Sequence, residues 1–344
     1  MTSSCRMKAN SVRGFSLVSL MIAMVLSLLL VAGLFKLFLS NKTTYGIQSS
    51  LSRLQENARF AFGTLAHDVR QSGYYGCVRN SSDVQNVLNN SNSYDYNFST
   101  PIQGFDAQNG SWAPALPASI TNVAPGTDVL TLRRLNGDPV FITKEMPDTS
   151  ADLKTDPTLS AGMLKVGDIV MLSDCAGSTI FQITNFNANN QGSVVHNTGT
   201  ASPGNVTKIF SHRYTVNSEI QKMVTSTYFI RKSTLNTNRL ALWRKDGSNS
   251  AQELVEGIDN MQILYGVDTD KNSSADVYKT ADAVTNWANV VSVKISLMVS
   301  GGKGTAQTVS PATLTMLGNS EPVAQDHRLR RIFTTTIALR NRLP

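Results

Sequence analysis

An α+β fold, with a long N-terminal helical spine carrying an antiparallel sheet-rich C-terminal domain, is predicted by three observations. An uncharged apolar run of 21 residues lies near the N-terminus, a helical apolar pattern continues beyond it, and short alternating or β-branched segments follow from Tyr74 onward. The chain of 344 residues is 41% hydrophobic and 16% charged, which provides for a core and excludes collagen, a disulfide miniprotein and a wholly disordered chain.

The apolar run, Phe15 to Phe35, follows fourteen residues that hold Arg6, Lys8 and Arg13 and no acid. A basic flank of this kind stays cytoplasmic, and a helix of that length spans ~31 Å, enough to cross the hydrocarbon core. A cleaved secretory signal needs a shorter run and a better small-residue site than Val31-Ala32-Gly33; a plain signal anchor fits the same physics. Beyond the run, Ile47, Leu51, Leu54, Ala58, Ala61 or Phe62, Leu65 and Val69 recur at steps of three and four. Arg53, Gln55, Glu56, Arg59 and Asp68 are placed opposite them. The apolar face keeps no strict heptad, which argues against a coiled coil. One helix over 15–72 would be ~87 Å long, transmembrane over 15–39 and amphipathic over 40–72. Gly73-Tyr74-Tyr75-Gly76 is its expected stop.

The remaining residues, 73–344, form the β-rich domain. Strands are expected at 128–135, 139–143, 168–172, 179–184, 225–231, 239–244, 261–267, 290–299 and 332–339, separated by Gly, Asn, Asp and Pro clusters. The Asn/Ser-rich stretch 80–100 reads as a surface loop, a mobile insertion.

Of three cysteines, Cys5 lies in the basic leader, which leaves Cys77 and Cys175. An even pair in a domain facing an oxidising compartment is expected to bridge; two free buried thiols are the alternative. A bridge closing a loop of that size is worth up to ~4.7 kcal/mol in the chain-entropy model. In the segment from Asp268 to Asp276, oxygens at Asp268, Asp270, Asn272, Ser274 and Asp276 alternate as in a calcium loop. Ser273 stands where such a loop has Gly, and Lys279 where it has a bidentate Glu, so a polar β-turn competes with calcium as the reading. No other cofactor is indicated.

No catalytic motif is recognisable: there is no G-x-S-x-G, H-E-x-x-H or C-x-x-C, Gly301-Gly302-Lys303-Gly304-Thr305 fails the phosphate-loop pattern at Gly304, and His67, His196, His212 and His327 are scattered. The chain is therefore expected not to be an enzyme. The formal charge of +7 falls to +4 once the three leader cations are set aside, too dilute for nucleic-acid binding. The one concentrated basic patch, His327-Arg328-Leu329-Arg330-Arg331, reads as a solvated edge or an inter-subunit contact.

The junction Arg13-Gly14-Phe15-Ser16-Leu17 resembles the class III leader of type IV prepilins. That resemblance implies cleavage by prepilin peptidase between Gly14 and Phe15, N-methylation of Phe15, and retention of the apolar helix. The family usually has glutamate at the fifth mature position, where this chain has Ser19. A carboxylate there is thought to neutralise the N-terminus of the subunit above, so Ser19 suits either a tip position or drift in a minor component.

A closer resemblance, to the PilW family of minor pilins, rests on Leu54-Gln55-Glu56-Asn57-Ala58-Arg59-Phe60-Ala61, Asp68-Val69-Arg70 and Gly73-Tyr74-Tyr75-Gly76-Cys77. It continues through Gly126-Thr127-Asp128-Val129-Leu130, Val166-Gly167-Asp168-Ile169-Val170, Ser173-Asp174-Cys175, Glu253-Leu254-Val255-Glu256-Gly257, Leu264-Tyr265-Gly266-Val267-Asp268 and Ile337-Ala338-Leu339-Arg340-Asn341-Arg342. The resemblance implies a type IV pilin-like fold and an inner-membrane protein with a periplasmic domain that initiates or caps a pilus. The implied partners are membrane lipid, other minor pilins, the major pilin, prepilin peptidase and the inner-membrane assembly platform. A minor pseudopilin of a type II secretion system is the nearest alternative, and a tip adhesin or DNA-uptake component a further one.

Overall fold

The structure is a computed structural model that describes residues 14, 16–78, 83–108, 110–199, 201–302, 306 and 308–342. Phe15, most of the leader and residues 80–82 of the Asn/Ser-rich stretch lie outside the described residues. The chain divides into two compact units, Met1–Ser52 and Arg53–Pro344, each taken here by itself.

Helix α1 (Leu17–Gln71) is the long helix expected from the sequence. In the first unit the hydroxyls of Ser27 and Thr43 are satisfied locally, donating to the carbonyls of Met24 (2.8 Å) and Leu39 (2.9 Å). Such back-bonding hides a polar group within the helix's own ladder. In the second unit Leu54, Ala58, Ala61, Leu65 and Val69 are buried, following the three-and-four spacing that puts them on one face. The helix stops where Gly73 takes φ +74, a left-handed value open to glycine. Its end is stitched down by the Ser72 hydroxyl, which donates to Pro101 O at 2.6 Å, and by Gly73 N–H, which donates to Arg133 O at 3.3 Å.

In chain order the strands are β1 (Val84–Asn86), β2 (Ile102–Gln108), β3 (Ser111–Ala113), β4 (Val129–Lys144), β5 (Leu153–Thr155), β6 (Ile169–Ser173), β7 (Ser178–Gln182), β8 (Asn185–Asn187), β9 (Ser193–Val195), β10 (Glu219–Lys232), β11 (Leu240–Asp246), β12 (Gln252–Glu256), β13 (Ile258–Val267), β14 (Val277–Lys279), β15 (Val290–Ser300), β16 (Thr313–Met316), β17 (Asn319–Pro322) and β18 (Arg330–Ala338). The larger sheet runs β1-β7-β6-β10-β4-β5-β9-β8, with β11 and β12 joined through β10 and β2 and β3 through β4. The smaller sheet is β14-β13-β15-β18, fully antiparallel, and β16–β17 is a separate hairpin. The buried helix face packs with Leu130, Leu132, Tyr228 and Ile230 of the larger sheet and with Ile258, Met261, Ile263, Val293, Ile295 and Ile337 of the smaller one.

Three expectations need correction. The segments 128–135 and 139–143 form one strand, β4, because the single long strand β10 pairs along both parts, with the extra residues taken up by a register shift between Ile220 and Lys222. The described part of 80–100 is anchored rather than a mobile insertion. Its apolar members Val87, Leu88 and Phe98 are buried, β1 pairs in parallel with β7, and Tyr94 O accepts from Arg133 Nη2 at 2.6 Å. Asp68 does not face solvent opposite the apolar stripe but is buried at 2% exposure.

Candidate functional site

Every described residue from 16 to 46 is exposed. Large apolar side chains such as Leu20, Ile22, Leu26, Leu30, Leu34 and Phe38 lie more than half open on all sides of the helix. Burying such a side chain is worth about 1.5–3 kcal/mol, so the set represents tens of kcal/mol that the first unit cannot recover within itself. By length and composition this helix can cross a membrane. Ser19 adds no charge to it: its hydroxyl donates to Ser16 O at 2.7 Å. Gly14 is exposed, with nothing among the described residues within 4 Å of where a Cβ would stand. Phe15, the expected site of N-methylation, lies outside the described residues.

In the second unit Cys77 and Cys175 are joined as a disulfide with Cα atoms 4.9 Å apart, tying the turn after α1 to the turn between β6 and β7. The close approach depends on Gly76, at φ +71, whose added Cβ would fall 2.9 Å from Ser173 Cβ. The hydroxyls of Ser173 and Ser178 both donate to Tyr75 O, at 3.2 and 3.1 Å.

The acidic loop gathers Asp268, Asp270 and Asp276, with ligand-type oxygens within 4.8 Å of one another. These oxygens also organise the loop itself. Asp268 accepts from Lys271 N (2.6 Å) and Ser273 N (2.8 Å), and Asp276 accepts from Thr269 N (2.7 Å). The Thr269 hydroxyl and N–H hold the Asp276 carboxyl below the usual carboxylate range. Asp270 accepts from Asn272 Nδ2 at 2.9 Å, and Ser274 enters through its N–H, which donates to Asn272 Oδ1 at 2.8 Å. Ser273 takes φ +68, the conformation for which a calcium loop uses glycine. The donor chemistry suits a hard cation, while the loop's own N–H groups already engage these oxygens.

Several charged residues that hold the unit together were not anticipated. Asp68 pairs with Arg134 at 3.0 Å and accepts from the Tyr228 hydroxyl at 2.5 Å; burial, then the Asp68 charge, raises the Tyr228 pKa. Asp128 joins the two sheets: it accepts from Ala107 N next to β4 in the larger sheet (2.9 Å) and from Ile263 N on β13 in the smaller (2.8 Å). Burial, opposed by those N–H bonds, pushes its carboxyl up to about 8. Arg133 is buried with its guanidinium on Thr100 O (2.7 Å), and burial lowers its pKa to about 10. The available signal was a charged residue inside a strand or next to a buried helix face, namely Arg133-Arg134 in β4 and Asp68 beside Val69. The basic patch also turns inward in part: Arg330 pairs with Asp259 at 2.8 Å and Asp326 at 2.6 Å, and Arg328 with Asp326 at 3.4 Å, leaving Arg331 exposed.

A long N-terminal helix with an exposed apolar portion, together with antiparallel sheets, defines a pilin-like α+β protein. Residues 226–341, from within β10 to the end of the described chain after β18, match the family model for type IV pilus-assembly protein W, PilW. Residues 9–35, which include the Gly14-Phe15 junction, match the prokaryotic N-terminal methylation motif. No curated protein and no solved structure matches the chain. The chain is thus similar to type IV pilus-assembly protein W over residues 226–341 and carries a prepilin-type methylation motif over residues 9–35, and together these matches support a part in type IV pilus assembly, with pilins and pilus machinery as partners in general.

Proposed function

We propose that this chain is a minor pilin that helps initiate or cap a type IV pilus, working by packing rather than catalysis. The observation that carries this reading is the exposed apolar helix, whose first part, to residue 35, falls in a matched methylation motif that also contains Gly14 and Phe15. Prepilin peptidase would cut after Gly14 and methylate Phe15. The helix would be held in the inner membrane with the second unit in the periplasm, until it packs among other minor pilins and the major pilin at the assembly platform. Ser19, its hydroxyl bonded within its own helix, supports a position with no charged N-terminus to neutralise above it. N-terminal sequencing of the protein from the membrane should return N-methylated Phe15, and Gly14→Asp should leave the full-length precursor. Normal processing of Gly14→Asp, or an unmodified N-terminus elsewhere, overturns the reading.

A further inference from the structure

The smaller sheet ends on a strand whose outer edge is open. β18 pairs with β15 alone, from Ser292↔Ala338 to Ser300↔Arg330, without a register shift. Leu339 N–H donates to Val291 O and Gly301 N–H to Leu329 O, which fixes the phase of the ladder. Bonded pairs alternate along an antiparallel ladder, so Arg331, Phe333, Thr335 and Ile337 bond to β15. Ile332, Thr334, Thr336 and Ala338 then turn their N–H and C=O outward, and among the described residues no backbone bond meets them. Natural edges are blunted by shortness, charge, proline or a bulge; this strand of nine residues carries charge only at its start, Arg330 and Arg331, and the stretch from Ile332 to Ala338 has none of these devices.

The strand is also bracketed by charge. Arg331 and Arg340 are exposed and, among the described residues, in no ion pair; the segment 327–342 contains no acid. From Arg331 to the strand's end at Ala338 is seven positions of extended chain, ~24 Å, and Arg340 stands just beyond it as the first residue of the 3-10 turn Arg340–Arg342. A second copy of β18 would be a poor partner, since antiparallel pairing about Thr334 brings Arg340 opposite Arg328 at both ends.

We propose that the open edge of β18 accepts an extended strand from a neighbouring pilus subunit, one with carboxylates near both ends to meet Arg331 and Arg340. Main-chain bonds to Ile332, Thr334, Thr336 and Ala338 give the affinity, and the two arginines give register and partner choice. The proposal rests on the pilus-assembly reading and names the surface through which it acts.

The test uses the full-length chain expressed with the other pilus subunits. Thr336→Pro removes an N–H that no ladder bond uses at an exposed position, whereas the Thr334 hydroxyl donates to buried Ser296 at 3.0 Å, so the melting temperature of Thr336→Pro should stay within about 3 °C of wild type. Its recovery in sheared pili should fall about tenfold or more, as should that of Arg331→Glu/Arg340→Glu. The amides of Ile332, Thr334 and Thr336 should exchange about tenfold slower in the assembled state, while those of Phe333 and Thr335 are protected in both states. Wild-type recovery of both variants, or fast exchange at the outward amides after assembly, overturns the proposal. If Thr336→Pro does not fold, the double charge reversal decides. A wild-type chain that is neither N-methylated nor recovered with pilus subunits overturns the assembly reading instead.

Discussion

Two stretches of one helix obey opposite rules. Residues 17–46 carry leucine, valine, methionine and phenylalanine around the whole circumference and bury none of them. Residues 53–71 bury one apolar face, Leu54, Ala58, Ala61, Leu65 and Val69, and leave Phe60 exposed on another. The first stretch is stable as a helix anywhere its backbone bonds are shielded from water, but it needs an apolar environment supplied from outside the chain. The second depends on particular partners in two sheets, so its stability is a property of the folded body. On the proposed reading as a minor pilin, the first stretch would exchange lipid for neighbouring helices while the second stays with its own domain.

The contrast is tested most severely at Asp68, the charged residue inside the packed stretch. Asp68→Ala leaves Arg134 buried and unpaired and should destabilise the body by ~3–5 kcal/mol, read from denaturant unfolding of the full-length protein in detergent. Unchanged unfolding would mean that Arg134 finds another partner. Matched truncations come next. Leu65→Ala should cost about 2–5 kcal/mol by the same measurement, whereas Leu26→Ala in the open stretch should leave the body's transition in place. Equal shifts for the two would erase the distinction between the stretches.

The pH dependence is subtler. The Asp128 carboxyl sits at about 8 when folded against its ordinary value of 3.8, so between those values the folded chain holds a proton that the unfolded chain has lost. Its contribution to stability is complete below pH ~4 and is lost as pH rises through about 8. Melting temperature should therefore fall across that window, and Asp128→Asn should flatten the fall; an identical slope in the variant would assign the dependence to other groups. The smallest effect is expected at the acidic loop. Because loop N–H groups already engage the carboxylates of Asp268, Asp270 and Asp276, millimolar calcium should move the melting temperature by less than about 2 °C. A larger rise, lost in Asp270→Asn, would establish a calcium site.

How far each region could be read in advance follows from how local its causes are. The apolar run, the three-and-four spacing from Leu54 to Val69 and the halt at Gly73 are set by near neighbours, and the helix came out at Leu17–Gln71 against an expected 15–72. The long strands were recognisable by their β-branched runs. Short strands such as β5, β8 and β9 were not, since three residues carry no period of their own and pair only because the surrounding sheet presents an edge. In the segment 80–100 the asparagines and serines hid the few apolar anchors that decide its placement.

The sequence by itself determined that this chain has an apolar helix able to enter a membrane, a basic segment ahead of Gly14-Phe15, and a β-rich body. These properties follow from composition and from spacings of a few residues, where backbone geometry and solvent preference act directly. Only the tertiary structure decided that Asp68 meets Arg134 and Tyr228, that Asp128 ties two sheets together, and that β18 ends its sheet with an open edge. Those outcomes depend on groups up to 160 positions apart in the chain, and a charged residue gives no local sign of whether its partner will be water or a buried side chain.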